Sequence, residues 1–327
     1  MRIEDTGKDF YIKAAYGLKA APDGSVFVRD GQDQLLQFDP QGRFIRNLMK
    51  RGQGPREMTG ISDFLVTVDQ IILFGNPPKL LAFDHSGNFI NEIGLQSVAR
   101  GPMKLILASG KGFFFSRSGR PDPKAGSGWQ DIPQEIVSIS LNGEKSETLG
   151  SFATPAHVNV IPSGGISMTG FLSMLYAPLD AHSIALSHTS EYLVKVFDIE
   201  ARACRTAFRR SYERQRREST EAAGGVRGSG VTLIDLPPFL NDISRIHAID
   251  GRIWIQTSTT DPKKGILFDV FTTEGKLIDQ FFLKWTNSDI KPNASGKAFV
   301  FSGGHVYFDD RTEDDLVVIR KCRMIGL

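Results

Sequence analysis

The feature that most restricts this chain is a unit that recurs along it: a short apolar run, a polar turn, a second run and a closing turn. One copy reads APDGSVFVRDGQDQLLQFDPQGRFIRNLMKRGQGP, Ala21 to Pro55, and the next reads VDQIILFGNPPKLLAFDHSGNFINEIG, Val68 to Gly94. The turn after each third strand marks the period: FDPQG ends at Gly42, FDHSG at Gly87, SLNG at Gly143, FDIEA at Ala201 and FTTEG at Gly275, with a degenerate IRKCR at Arg323. Successive differences between those positions are 45, 56, 58, 74 and 48 residues. Such spacing signals one supersecondary unit, repeated with insertions.

The runs within each unit are β in character. SVFVRD, QIILFG, GFFFSR, SIALSH, GRIWIQ and HVYFDD are rich in β-branched and aromatic residues, and each is followed by LLQFD, LLAFD, IVSIS, YLVKVFD, ILFDVF or LVVIR. Runs of this length bounded by Gly, Asp and Asn read as strands, and their near-continuous apolar character fits sheets covered on both faces. Six sheets arranged radially bury both faces and leave only short edges. The expected fold is therefore an all-β, six-bladed β-propeller of four-stranded blades, in one domain over residues 1–327. A large sandwich would not require the same unit six times. The blades fall at about 14–58, 59–100, 101–153, 154–210, 237–285 and 291–327, with a charged helical or lid-like insertion at 209–236 between blades four and five. YGLKAAP, ISDFLVTV, MKLILA, RIHAID and GKAFVF are the candidate innermost strands; that of blade four lies somewhere between Ile161 and Ala181. Either the terminal MIGL or Asp9–Lys13 is expected to supply the closing edge.

The unit from Pro22 to Met58 resembles an NHL repeat, and the chain resembles a bacterial six-bladed β-propeller family that carries GxGPGEF after an early blade. Gly52, Gly54, Pro55 and Glu57 match that pattern; Arg56 stands where the family has glycine and Met58 where it has phenylalanine. SEYLVKVFD, Ser190–Asp198, and the later DLPPFLNDISRIHAIDGRIWIQTS are similar to the family's late blades. The resemblance implies a propeller and exported relatives, which tilts the expectation toward an exported, periplasmic protein; no signal peptide is visible, so either the mature form is given or the protein is cytoplasmic. It implies little about activity, because one propeller fold hosts unrelated functions.

Composition removes several classes of function. Lys plus Arg is 39 against 37 for Asp plus Glu, a net +2, which gives none of the basic excess that a nucleic-acid binder usually shows. No window approaches the apolar length of a membrane span. The two cysteines, Cys204 and Cys322, have no metal spacing. The inter-blade crossings are basic and the loops between second and third strands acidic, chiefly through Asp309–Asp315. That mixed face favours a protein, peptide or polar, anionic small ligand over nucleic acid.

Candidate site residues follow from these loops. Arg51–Glu57 (RGQGPRE) lacks the helix, Lys and Ser/Thr of a phosphate loop, so it reads as a crossing, with Arg51, Gln53 and Arg56 free to meet an anion. Arg117, Arg120 and Trp129 lie in a long loop, Arg117–Gln134, where the tryptophan either anchors a partner or folds back over blade three. His188, Tyr192, Arg209 and Arg210 complete the binding set. No cofactor is expected. Asp309–Asp315 leaves room for calcium, and His157, His182 and His247 are the candidates should zinc be held. The reading is a monomeric, non-catalytic binding scaffold whose ligand sits at the face bearing the crossings. The alternative is a metal-assisted lyase or hydrolase with its site at the central channel.

Overall fold

The computed structural model describes residues 2–4, 10–160, 165–169, 173–217, 221–222, 234–286, 290 and 295–325. Its local order starts at the closing turns. Asp39 Oδ1 accepts the N–H groups of Gln41 and Arg43, Asp84 that of Asn88, and Asp198 those of Glu200 and Ala201. Gly42, Gly87, Gly143 and Gly275 sit in these turns at φ of 85, 79, 73 and 86°, the left-handed region open to glycine without a Cβ penalty. The Asp-to-Gly spacing in the sequence is therefore the chemistry of the turn itself.

Between the turns lie, among the described residues, six antiparallel sheets of four or five strands and one two-stranded ladder. The first contains β2 (Ala15–Ala20), β3 (Val26–Asp30), β4 (Leu35–Phe38) and β5 (Phe44–Asn47). The second contains β6 (Gly60–Val66), β7 (Ile71–Asn76), β8 (Lys79–Phe83) and β9 (Phe89–Gly94). The third has β10 (Met103–Ser109), β11 (Gly112–Ser118), β12 (Gly128–Ile139), β13 (Ser146–Val160) and a fifth strand, β14 (Ile166–Thr169). In the fourth are β15 (Leu175–Pro178), β16 (Ser183–Ser187), β17 (Val194–Asp198) and β18 (Ala203–Phe208), so β15 is the first strand that the sequence left open. A two-stranded ladder, β19 (Glu221–Ala222) with β20 (Ile234–Asp235), precedes the fifth sheet: β21 (Ile243–Ile249), β22 (Arg252–Asp261), β23 (Gly265–Phe271) and β24 (Leu277–Leu283). The sixth joins β25 (Val300–Ser302), β26 (His305–Arg311) and β27 (Val317–Arg323) to the N-terminal β1 (Arg2–Glu4). Ile3 pairs with Ile319, so the closing strand is residues 2–4 rather than MIGL or Asp9–Lys13. The fold class is an all-β six-bladed propeller.

The chain divides into two compact units, Met1–Phe115 with Ser138–Glu147 and Lys297–Leu327, and Ser116–Val137 with Thr148–Gly296. In the first unit, period-2 alternation splits the first sheet between two cores. Val26, Val28, Leu36 and Phe38 pack with Ile3, Tyr307 and Ile319, while Phe27 and Leu35 pack with Met58, Phe64 and Leu73. In the second unit Val194, Val196, Ile253, Ile255 and Phe271 share a core. Each fully buried side chain of this size contributes roughly 1.5–3 kcal/mol, which explains why the apolar runs were readable as strands.

Among its described residues the expected helical insertion is not formed. Among the described residues there is no α-helix, and residues 209–217 carry no regular element beyond an isolated bridge at Arg216. Arg216 bridges to Phe239, and the Arg217 and Leu240 N–H groups donate to Pro238 and Gln215. Residues 218–220 and 223–233 of the insertion lie outside the described residues. Helix propensity amounts to tenths of a kcal/mol per residue and loses to specific tertiary partners.

Candidate functional site

The RGQGPRE loop is a built crossing. Lys79, on β8, has a side chain only 3% exposed, and its ammonium donates to Gly54 O at 3.0 Å and Glu92 Oε1 at 2.9 Å. Glu92 Oε2 accepts the Arg56 N–H at 2.6 Å. Burial opposes ionisation of Glu92, but the hydrogen bonds from Arg56 and Lys79 prevail and hold its carboxyl below the usual value. Glu57 turns back to accept from Lys50 at 2.8 Å and from the Gly54 N–H at 3.1 Å. Arg56 adopts φ 60°, which explains why glycine suits this position. Its guanidinium lies 4.3 Å from the Phe89 ring centroid. Arg51 and Gln53 remain exposed.

Directly after this crossing the first unit gathers charge on three first strands. A bulge between Ala15 and Gly17 leaves Tyr16 67% exposed. A second, between Ile61 and Asp63, interrupts the alternation of β6; bulges commonly re-aim side chains beside functional sites. Arg29 donates to Ile61 O at 2.6 Å and Ser62 O at 2.9 Å and lies over the Tyr16 ring. Gly17 permits this packing, since a Cβ there would meet Phe64 at 3.0 Å and Arg29 at 3.4 Å. Burial pushes the Asp63 carboxyl above its ordinary value, against the pull of Lys19, the Phe64 N–H, Arg29 and Lys104. Lys19 lies over the Phe64 ring at 5.8 Å, and Lys104 is exposed. The charges of three cations thus favour ionisation of a carboxyl that burial holds above its ordinary value, and an exposed aromatic ring lies against one of them, Arg29. A perturbed carboxyl in such a cluster is a recognised pointer to function. None of these five residues stood out in the sequence, because each lies in a run that reads only as strand; the bulges hide the polar periodicity.

In the second unit, Tyr192, Arg210 and their neighbours form a clasp. Asp269 is fully buried, accepting from Tyr192 Oη at 2.5 Å, Arg210 Nε at 2.7 Å and Nη2 at 3.1 Å, and Gln280 Nε2 at 2.6 Å. Arg214 reaches Asp242 at 3.0 Å, and Tyr212 Oη meets Thr259 Oγ1 at 2.7 Å and Ser258 Oγ at 3.0 Å. Burial, then the Asp269 charge, pushes the Tyr192 phenol far up. Tyr192 and Arg210 are therefore committed internally, while Arg209 is exposed.

The remaining expected residues disperse. Arg117 pairs with Glu135 at 2.7 Å and reaches Thr148, whereas Arg120 is exposed. Trp129 begins β12 rather than lying in a loop, is 45% exposed, and meets His157 edge to face at 5.7 Å. His188 bonds Ala153 O, and burial lowers its pKa. His182 pairs with Glu200 on the surface. His247 lies against Gln256 and Phe268, with burial, ahead of Arg245, lowering its pKa to about 4. Among the described residues no three His, Cys, Asp or Glu side chains are grouped to hold a metal ion. No described helix is long and apolar enough to cross a membrane.

These features define a propeller whose polar, bulged first strands carry the candidate site. Residues 5–130 match the model of a family, DUF5128, described as a 6-bladed beta-propeller. A Bacteroides fragilis protein described as a "putative exported protein" is similar in structure, with a TM-score of 0.54 and 11% identity, over 100% of this chain and 95% of that one. A Bacteroides caccae protein of unknown function has a TM-score of 0.39 and 11% identity, over 81% of this chain and 80% of that one. No curated protein matches. At these identities the likeness shows the fold alone.

Proposed function

We propose that this protein is a non-catalytic binding module for a polar, anionic small ligand, held at the end of the blades that bears the crossings. One observation carries the reading: Lys19 on β2 and Lys104 on β10, with Arg29 on β3, act electrostatically on Asp63 of β6, on and beside bulged first strands, and exposed Tyr16 lies against Arg29. The cations supply the attraction, and the ring offers a face for an apolar part of the ligand. Neither lysine forms an ion pair among the described residues, so both charges are available. Export accords with the description of the Bacteroides fragilis neighbour as a putative exported protein. The test is a thermal-shift panel of citrate, glucuronate and inorganic phosphate against neutral and cationic compounds of similar size. Stabilisation by the anions, abolished in a Lys19→Gln/Lys104→Gln variant, is expected; equal responses from both proteins would overturn the reading.

A further inference from the structure

The first unit contains a second concavity that the anionic reading leaves unused, a cleft of about 530 Å³ between turns of the second and third sheets. Three exposed apolar side chains border it: Val68, 78% exposed, Ile90, 52%, and Leu141, 50%. Its floor is made by Ile72, Leu80 and Phe113, all buried. The turns themselves do not require this apolar rim. Val68 occupies the tip of a tight hairpin closed by Thr67 and Gln70. The corresponding tips of other blades carry Asp23–Gly24, Gly110–Lys111, Asp180–Ala181, Asp250–Gly251 and Gly303–Gly304. Leu141 follows the first residue of its closing turn, where other blades place Pro40, His85, Thr273 or buried Ile199. Separate elements thus place apolar residues around one hollow at positions where turn chemistry favours polar ones.

We infer that this cleft binds a small, mostly apolar molecule that is neutral or cationic. Its volume lies within the range of small-molecule sites, roughly 300–1,000 Å³, and a concavity of that size suits such a molecule better than the broad, flatter surface of a protein partner. Asp69 is the one charged residue lining it, with no Lys or Arg, so a carboxylate ligand would meet a like charge and no counter-charge. This site is independent of the anionic one and fails or survives separately.

The test uses the full chain and a matched pair of probes, adamantane-1-methylamine and adamantane-1-carboxylate, titrated by calorimetry at low salt. Saturable binding of the amine, at least tenfold tighter than the carboxylate, is expected. Val68→Lys/Leu141→Lys should weaken it at least tenfold at unchanged Tm, since both positions are exposed, and Asp69→Asn should shrink the preference for the amine. Absence of saturable amine binding, equal or tighter carboxylate binding, or unchanged affinity in the double variant would overturn the assignment. So would sedimentation of the wild type as a dimer that the double variant dissociates, which would make a second copy the occupant.

Discussion

Lys79→Met tests whether the RGQGPRE crossing is a structural clamp. The substitution keeps the buried stem of a side chain 3% exposed and removes the ammonium that serves Gly54 O and Glu92 Oε1. Losing one partner of a fully buried pair costs about 3–5 kcal/mol, but Glu92 is 30% exposed and water recovers part of its solvation. Orphaning the Gly54 carbonyl adds part of the 1–3 kcal/mol due to an unsatisfied acceptor. A net loss of about 2–3 kcal/mol results. With unfolding entropy of about 2.1 cal/mol/K per residue, that lowers the Tm of a chain this long by about 3–4 °C. The pH dependence gives a sharper readout. Glu92 has a folded pKa below its ordinary 4.5, so its contribution is complete above pH 4.5 and is lost as pH falls through the folded value. Without Lys79 that contribution shrinks, and the Tm gap between wild type and variant should narrow from pH 7 to pH 3.5. Differential scanning calorimetry at both pH values decides it. A gap under 1 °C at pH 7, or one that does not narrow in acid, would refute the clamp.

Three further outcomes follow from the same structure. Tyr192→Phe should cost about 1.5–3 kcal/mol, as expected for a hydrogen bond to a charged group, and Arg210→Met about 3 kcal/mol; the double variant should lose less than the sum, because both groups serve Asp269, and additive losses in urea unfolding would contradict the shared clasp. At position 56, glycine should be more stable than alanine by about 0.5–1 kcal/mol, the left-handed penalty less the extra unfolded entropy of glycine; alanine equal to or above glycine would show that φ 60° carries no strain. His247, lowered to about 4, should stay neutral by NMR down to pH 5, and its contribution to stability, complete above the ordinary 6.5, should decline as pH falls from there toward 4; a midpoint near 6.5 would contradict its burial.

The blades were legible because turn chemistry and strand pattern agree locally: Asp39 to Gly42 and Asp84 to Gly87 are turns for reasons visible in the residues themselves. The 209–217 segment misled because its composition favours a helix. Its finer pattern is of period two, with Arg210, Tyr212 and Arg214 turned inward between exposed Arg209, Ser211 and Glu213, but the partners that select it, Asp269, Thr259 and Asp242, lie 28 to 59 residues away. The candidate site was hidden for a related reason. Tyr16 and Asp63 flank bulges, which break the alternation that would have separated facing from buried positions, and Lys104 comes from another sheet.

The most direct test of the binding reading is a calorimetric titration of the full chain with citrate at low ionic strength, repeated with Lys19→Gln/Lys104→Gln. The account predicts saturable one-site binding that weakens at least tenfold in the variant and with added salt. No saturable heat in the wild type, or the same affinity in both proteins, would contradict it.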